Sequence, residues 1–320
     1  MKHIITGGSG FTGQVLAAKL IAEGEEVVIF DKTAPSDVEV AKAATPIHGD
    51  VRSAADLARL PLSQDDVVYH LAARQFADSV PARGRNEWFA EVNVDGTKNV
   101  IAAMQAASAH KLVFFSTDMT YGKPIVCPVP PTHPQNPLGP YGASRKEAER
   151  LLRAAPGLTP SIFRPRLITG PGRLGVLGKL FRLIKAGLPV PMIGSGANRY
   201  QMVGVEDCAR AALLAVNAGC PPGPFNLGSE EPPTTRQLLQ GIIDHARSTS
   251  ILLPTPPAIL KPVLGALDKI GATLLYPEQF EIADLDIMLN TSETSKVLGW
   301  RPERDDISMM IAAYEAAVAR

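Results

Sequence analysis

The chain has 320 residues, 45% hydrophobic and 20% charged, enough to bury a sizeable core as one large domain or two lobes. Lys plus Arg and Asp plus Glu both number 32, so the formal net charge is zero; no basic surplus points to nucleic acid and no polybasic run to a membrane surface. Three cysteines, Cys127, Cys208 and Cys220, lack C-x-x-C spacing, no apolar run is as long as a membrane span, and the first strand pattern starts at His3; the expectation is a soluble, cytoplasmic protein with free thiols, no metal and no leader.

The apolar run His3 to Ile5 leads into Thr6-Gly7-Gly8-Ser9-Gly10-Phe11-Thr12-Gly13, and a helical pattern continues from Phe11 to about Glu23. Glycines at 7, 10 and 13 permit a tight turn that a phosphate can approach closely. The helix that follows offers its N-terminal amides to a pyrophosphate. A second strand, Glu26 to Phe30, ends in Asp31. An acid about 20 residues beyond such a loop is expected to hold the adenosine ribose hydroxyls. The order strand, glycine turn, helix, strand, acid therefore predicts a dinucleotide site rather than a plain turn.

Strand and helix patterns keep alternating, which predicts a parallel sheet covered on both faces. Pro46 to Val51 reads as a third strand containing Asp50, and Ser53 as the N-cap of a helix to Leu60. Val67 to Leu71 reads as a buried strand, followed by the small residues Ala72 and Ala73, which leave room for a flat ligand. A long helix is expected over Asn86 to Ser108, then a strand over Lys111 to Phe115 running into Ser116-Thr117-Asp118. The proline-rich stretch Pro124 to Pro140 is neither helix nor central strand and should lie over an edge or cleft. Tyr141 to about Ala155 reads as a helix and Ser161 to Arg164 as a sixth strand.

Beyond Gly170 the elements shorten between Gly/Pro breaks, so the lobe boundary is placed there, with residues 1–170 and 171–320 on either side. Val203 to Val205 and Phe225 to Leu227 look like strands of differing allegiance, which predicts that the chain crosses back. Ile251 to Leu275 is apolar and broken by proline; it reads as a packed helical pair or a lid over a greasy substrate.

Three features carry chemistry. Tyr141 opens a helix, and Arg145 lies four residues on, on the same face. A phenol with a pKa of about 10 needs a nearby cation to act at neutral pH. Arg145 can supply that charge and donate to ribose hydroxyls, but it does not give up its proton. Lys146 is rotated by about 100° from Arg145, away from the tyrosine. Ser116 and Thr117 end a strand and can hydrogen-bond a carbonyl or alkoxide oxygen, or simply cap the strand; Asp118 can exchange a proton or cap the next turn. Arg199, in Gly194-Ser195-Gly196-Ala197-Asn198-Arg199-Tyr200, can pair with a substrate phosphate or stand as a surface-loop arginine.

These stretches, with Gly49-Asp50-Val51, His70-Leu71-Ala72-Ala73, Asn93-Val94-Asp95-Gly96-Thr97, Met119-Thr120-Tyr121-Gly122, Tyr141-Gly142-Ala143-Ser144, Arg164-Pro165, Val205-Glu206-Asp207 and Leu298-Gly299-Trp300-Arg301-Pro302, resemble the extended short-chain dehydrogenases/reductases. The resemblance is specifically to the NAD-dependent nucleotide-sugar epimerase/dehydratase group. It implies a Rossmann-type, doubly wound α/β fold with a smaller C-terminal α/β substrate lobe, and a homodimer formed through the Asn86–Ser108 and Tyr141–Ala155 helices. It places Gly7, Gly10, Phe11, Thr12 and Gly13 at the pyrophosphate and Asp31, with Lys32 beside it, at the adenosine ribose, selecting NAD. Asp50 and Val51 would flank the adenine, and Leu71, Ala72 and Ala73 would line the cofactor groove, with Ser116 and Pro165 in the same set. Thr117 falls at the catalytic serine or threonine, and Tyr141 at the acid/base.

Two departures bear on the chemistry. The usual Tyr-x-x-x-Lys reads Tyr141-x-x-x-Arg145, which keeps the cation and loses the proton relay. The Thr-Asp-Glu of the 4,6-dehydratases reads Thr117-Asp118-Met119, so the glutamate base that eliminates water is missing. The leading expectation is an epimerase that takes hydride from a sugar carbon and returns it to the other face, with Asp118 and Arg199 toward the substrate. A net dehydrogenase or reductase acting on a hydrophobic alcohol or ketone is the alternative favoured by Ile251 to Leu275. A cofactor-binding protein that has lost catalysis is the alternative favoured by Arg145.

Overall fold

Why the first half forms a layered sheet is plain from its strands. β1 (Lys2–Thr6), β2 (Glu26–Asp31), β3 (Thr45–His48), β4 (Val67–His70), β5 (Lys111–Phe115) and β6 (Thr159–Pro165) are mostly short apolar runs. Such runs suit a parallel sheet buried on both faces. The structure, a computed structural model, describes residues 1–172 and 177–319. Its large sheet has seven strands, in the order β3-β2-β1-β4-β5-β6 and then Phe225–Leu227, and every neighbouring pair is parallel. The order reverses beside β1, which is the switch point where open α/β sheets bind ligands.

Helices cover both faces. They are α1 (Phe11–Ala22), α2 (Val38–Ala43), α3 (Ala54–Leu57), α4 (Arg85–Ala90), α5 (Gly96–Ala106) and α6 (Pro140–Ala154). Leu16, Ala17 and Leu20 of α1 join Ile5, Val27 and Ile29 in one core layer. Val100 and Met104 of α5 and Ala148 and Leu152 of α6 join Ile4, Val68 and Phe114 in the other.

The remaining elements are β7 (Leu167–Thr169), α7 (Leu177–Lys185), β8 (Val190–Ile193), β9 (Met202–Gly204), α8 (Val205–Asn217), β10 (Phe225–Leu227), α9 (Thr235–His245), β11 (Leu252–Thr255), α10 (Pro257–Lys269), α11 (Pro277–Phe280), α12 (Ser292–Leu298) and α13 (Asp306–Val318). Phe181, Ile184, Leu238, Ile242, Met309 and Met310 form the C-terminal core. The two strands of expected differing allegiance do part. β9 pairs with β7 in a small sheet, whereas β10 becomes the outer strand of the large one. Helix α8 also crosses back, contributing Cys208, Ala209 and Ala212 to the core layer beneath α1.

Four boundaries differ from expectation. The third strand stops at His48 rather than Val51, because Asp50 turns its carboxylate back onto the Arg52 amide at 3.0 Å. The helix after Ser53 is one turn, Ala54–Leu57, although Ser53 caps it as expected by accepting from the Asp56 amide at 3.1 Å. The Asn86–Ser108 helix is interrupted by a π-turn over Glu91–Asp95, a widened turn often found at functional sites. The Ile251–Leu275 segment is β11 followed by α10, with Ile259 and Ile270 turned outward at 62% and 77% exposure. No helix among the described residues is long and apolar enough to cross a membrane.

Candidate active site

The carboxyl ends of β1, β2, β4, β5 and β6 share one edge of the parallel sheet, and nearly all the expected site residues lie there. Gly7 has φ +73° and its Cβ would stand 2.6 Å from the Ala72 amide nitrogen, so the turn closes only on glycine. Gly10 donates to Gly7 O at 3.1 Å, and Phe11, Thr12 and Gly13 start α1. That N-terminus has no side-chain cap and no acid in its first turn, leaving its positive end for an anion. Asp31 orders the same edge. Its carboxylate accepts the Ser9 amide at 3.1 Å and the Thr33 amide at 3.1 Å, while Lys32 beside it is exposed.

Asp50 is held by Arg52, at 3.0 Å from Nε and 2.7 Å from Nη2. These bonds hold its carboxyl below the usual range, against the opposing pull of burial. Val51 O accepts from Asn99 Nδ2 at 2.9 Å. Leu71, Ala72 and Ala73 leave β4 half-buried, with the Leu71 amide on Thr6 O at 3.0 Å. His70 beneath them is locked between two threonines. Thr97 donates to Asn93 O at 2.8 Å, so it accepts from His70 Nε2 at 3.0 Å, and Nδ1 then accepts from Thr6 at 2.7 Å. Burial, with the Arg145 charge nearby, pushes the imidazole down to about 3, so His70 is neutral.

The reactive side begins where β5 ends. Thr117 is 7% exposed and accepts the Met119 amide at 3.3 Å, which makes it the cap of a single 3₁₀ turn, Asp118–Thr120. Helix α6 packs its first turn directly on this one. A Cβ at Gly142 would stand 2.5 Å from Met119 O, so only glycine admits the approach. Tyr141, at the start of α6, meets the rings of Phe76 at 5.1 Å and Phe89 at 5.6 Å.

Arg145 is on the tyrosine's helix face but folded inward, 1% exposed. Its guanidinium lies over the Phe114 ring at 4.4 Å and Nη2 donates to Phe115 O. Burial lowers its pKa, and the charges of Tyr141 and Glu149 oppose that effect. Nε and Nη1 have no hydrogen-bond partner among the described residues. Both donors are closed to solvent, so in this structure Arg145 acts on the site through its charge rather than through a direct contact with a ligand. Lys146 is turned to solvent and donates to Gln135 O at 2.7 Å.

Arg166 and Glu278, which the sequence did not single out, complete the site together with Asn93, which it named only as part of a motif. Arg166, just past Pro165, donates to Asp118 at 2.7 Å and lies over the Tyr200 ring at 5.4 Å. Both Asp118 and Arg166 are 6% exposed, so the expected substrate acid is already paired. The signal was Arg164 and Arg166 flanking Pro165 at a buried strand end, since buried cations need acids. Asn93, inside the π-turn, joins Ser144 of α6 at 2.9 Å to the Arg74 backbone, accepting its amide at 2.9 Å. Glu278 of α11 reaches the amides of Tyr141 and Gly142.

Arg199 is not brought to this set. It is exposed on a separate 540 Å³ groove lined by Glu231, Pro233, Gln237 and Asp244, and its amide donates to Asp286 at 2.6 Å.

A glycine turn under an uncapped helix, an acid ending β2, and a tyrosine helix packed on the threonine that ends β5 define a dinucleotide-dependent enzyme of the short-chain dehydrogenase/reductase type. The chain belongs to the NAD dependent epimerase/dehydratase family, whose model matches residues 3–228. It is 32% identical to the uncharacterized protein y4nG of Sinorhizobium fredii, over 97% of this chain and 77% of that one. Identity is 28% to the 2-alkyl-3-oxoalkanoate reductase of Stenotrophomonas maltophilia (76% and 75% covered) and 27% to the UDP-glucose 4-epimerase of Mycolicibacterium smegmatis (95% and 94%). Among solved structures, the Thermus thermophilus UDP-glucose 4-epimerase complex with NAD matches with TM-score 0.77 at 25% identity, covering 99% of each chain.

Proposed function

We propose that this enzyme is an NAD-dependent epimerase of a nucleotide sugar that works through a transient keto sugar. The observation that carries the reading is the contact of the two first turns. Gly142 seats the start of the Tyr141 helix on the Thr117–Met119 turn, with the Arg145 cation buried behind. When bound, NAD supplies a hydride acceptor that can return the hydride to the opposite face. Tyr141 takes the hydroxyl proton as hydride leaves and gives it back afterwards. Thr117 hydrogen-bonds the same oxygen, and Arg145 favours the phenolate without exchanging its own proton.

Loss of water is disfavoured on two counts. Met119 has no base to offer, and Asp118 is neutralised by Arg166, so neither is free to move a proton to or from a leaving hydroxyl. Arg199 is left out of this reading as a phosphate partner, because it stands on a separate groove beside Glu231 and Asp244. Asp31 favours NAD over NADP, because a 2′-phosphate would meet its carboxylate. The relatives support the substrate class, since UDP-glucose 4-epimerases match across nearly the whole chain.

A reductase of an apolar ketone is the second reading. It is favoured by the outward apolar residues of α10 and by the similarity to a 2-alkyl-3-oxoalkanoate reductase. Denaturing the purified protein and weighing what it releases separates the two. Stoichiometric NAD, together with interconversion of UDP-glucose and UDP-galactose and no NADH in solution, is the expected result. A protein that carries no NAD and consumes a nicotinamide cofactor with a 3-oxoalkanoate overturns the epimerase, and release of NADP alone overturns the role of Asp31.

A further inference from the structure

Glu278 belongs to the C-terminal lobe yet serves the helix that carries Tyr141. It lies in the first turn of α11, is 3% exposed, and one carboxylate oxygen accepts the Tyr141 amide at 2.9 Å while the other accepts the Gly142 amide at 2.9 Å. Helix α6 has no cap from its own preceding residue, Gly139. Glu278 therefore satisfies amides that a helix leaves open at its N-terminus, and its charge suits the positive end of the dipole. The seat is shaped for it, because a Cβ at Gly139 would stand 2.6 Å from Glu278 Cγ. Burial pushes the carboxyl upward, against the two amides and the Arg85 charge.

The segment leading to Glu278 is anchored around the same tyrosine. Asp268 takes Arg85 Nη1 and Nη2, both at 2.8 Å, and Thr273 at 2.6 Å. The Tyr276 ring stacks on Phe76 at 4.8 Å, and Phe76 is the ring that meets Tyr141. Arg85 also lies over Tyr276 at 5.2 Å. A salt bridge, a ring stack and a helix cap thus bind residues 268–278 to the wall of the Tyr141 site.

We infer that Glu278 is a positioning residue for Tyr141: it ties the first turn of the tyrosine helix to the C-terminal lobe, so that the lobe facing the substrate also sets where the phenol stands. The kinetic half of this inference rests on the acid/base reading of Tyr141; the docking half does not.

Amide hydrogen exchange on the full-length, NAD-saturated enzyme tests the docking. In Glu278→Ala the amides of Tyr141 and Gly142 should exchange about tenfold faster or more, with β1 and β4 unchanged, and Glu278→Gln, which keeps one carbonyl acceptor and turns an NH2 donor toward the other amide, should restore protection at only one of the two. In parallel, kcat for UDP-glucose should fall about tenfold to a hundredfold in Glu278→Ala with KM within about threefold, and recover only in part in Glu278→Gln, which keeps one of the two acceptors. Should Glu278→Ala fail to fold, Gly139→Ala wedges the carboxylate away and is read in the same two ways. Unchanged exchange at these amides overturns the docking, and faster exchange with unchanged kcat overturns the positioning. Full turnover in Tyr141→Phe sinks the acid/base reading and the positioning with it, while exchange still decides the docking.

Discussion

Tyr141→Phe should lower kcat by about a thousandfold, the middle of the range for a lost general acid/base, while the protein keeps its NAD. The ring contacts with Phe76 and Phe89 do not use the hydroxyl, so the substitution removes the proton carrier and leaves the packing. Turnover of UDP-glucose and the NAD released on denaturation are the two measurements. A rate within about tenfold of the wild type would remove Tyr141 from the chemistry. It would favour a cofactor-binding protein in which Arg145 marks a retired site. The thousandfold loss with NAD retained would instead show that arginine serves where the family's lysine stands.

The largest effect on stability is expected from Glu149→Ala, at about 3–5 kcal/mol. Glu149 is fully buried and takes Arg164 on both oxygens, Nε at 2.9 Å and Nη2 at 2.6 Å. Arg164 in turn donates to Tyr121 at 3.0 Å and Pro131 O at 3.0 Å, and Tyr121 donates to Asn226 of β10 at 2.7 Å. Removing the carboxylate strands a cation inside and loosens the proline-rich stretch from the sheet. A lower urea midpoint with an unchanged slope is the signature. The double change Glu149→Leu with Arg164→Met should recover much of the loss, since an apolar pair has no charge to strand.

The same pair sets an acid limit. Burial pushes the Glu149 carboxyl up, but the Arg164 hydrogen bonds and charge more than reverse it, so its pKa in the folded protein is below the ordinary value. A carboxyl depressed by folding adds stability that is whole above its unfolded pKa of about 4.3 and is lost as pH falls through the folded value. In Glu149→Leu/Arg164→Met that part of the acid unfolding should vanish.

How much of this could be read from the sequence depends on how far apart the partners lie along the chain. β1, β2, β4 and β5 are apolar runs bounded by turn residues, so both their existence and their parallel pairing follow from local pattern. The glycine turn and Asp31 are equally local. Arg166 with Asp118, Glu149 with Arg164 and Glu278 with Tyr141 are not, because each pair joins separate elements. A charged residue on α6 reads as solvent-facing until the opposite charge arrives from β6. The π-turn at Asn93 was hidden for another reason, since its residues are ordinary for a helix and the partners of the Asn93 side chain, Ser144 and the Arg74 backbone, come from elsewhere in the chain. Arg199 was the reverse case, a local signal whose side chain stands on a different groove.

The return of the chain to the large sheet at β10 has a consequence for biosynthesis. While the protein emerges from the ribosome, β6 is made long before β10, its neighbour on the outer side. Until Phe225–Leu227 arrives, the nascent sheet presents an unpaired β6 edge, and the Ala-rich face of α8 has not yet covered its layer. Unpaired edges invite pairing with other chains. A chain cut after Gly170 would lack the outermost strand of the large sheet and should be recovered mainly in the insoluble fraction.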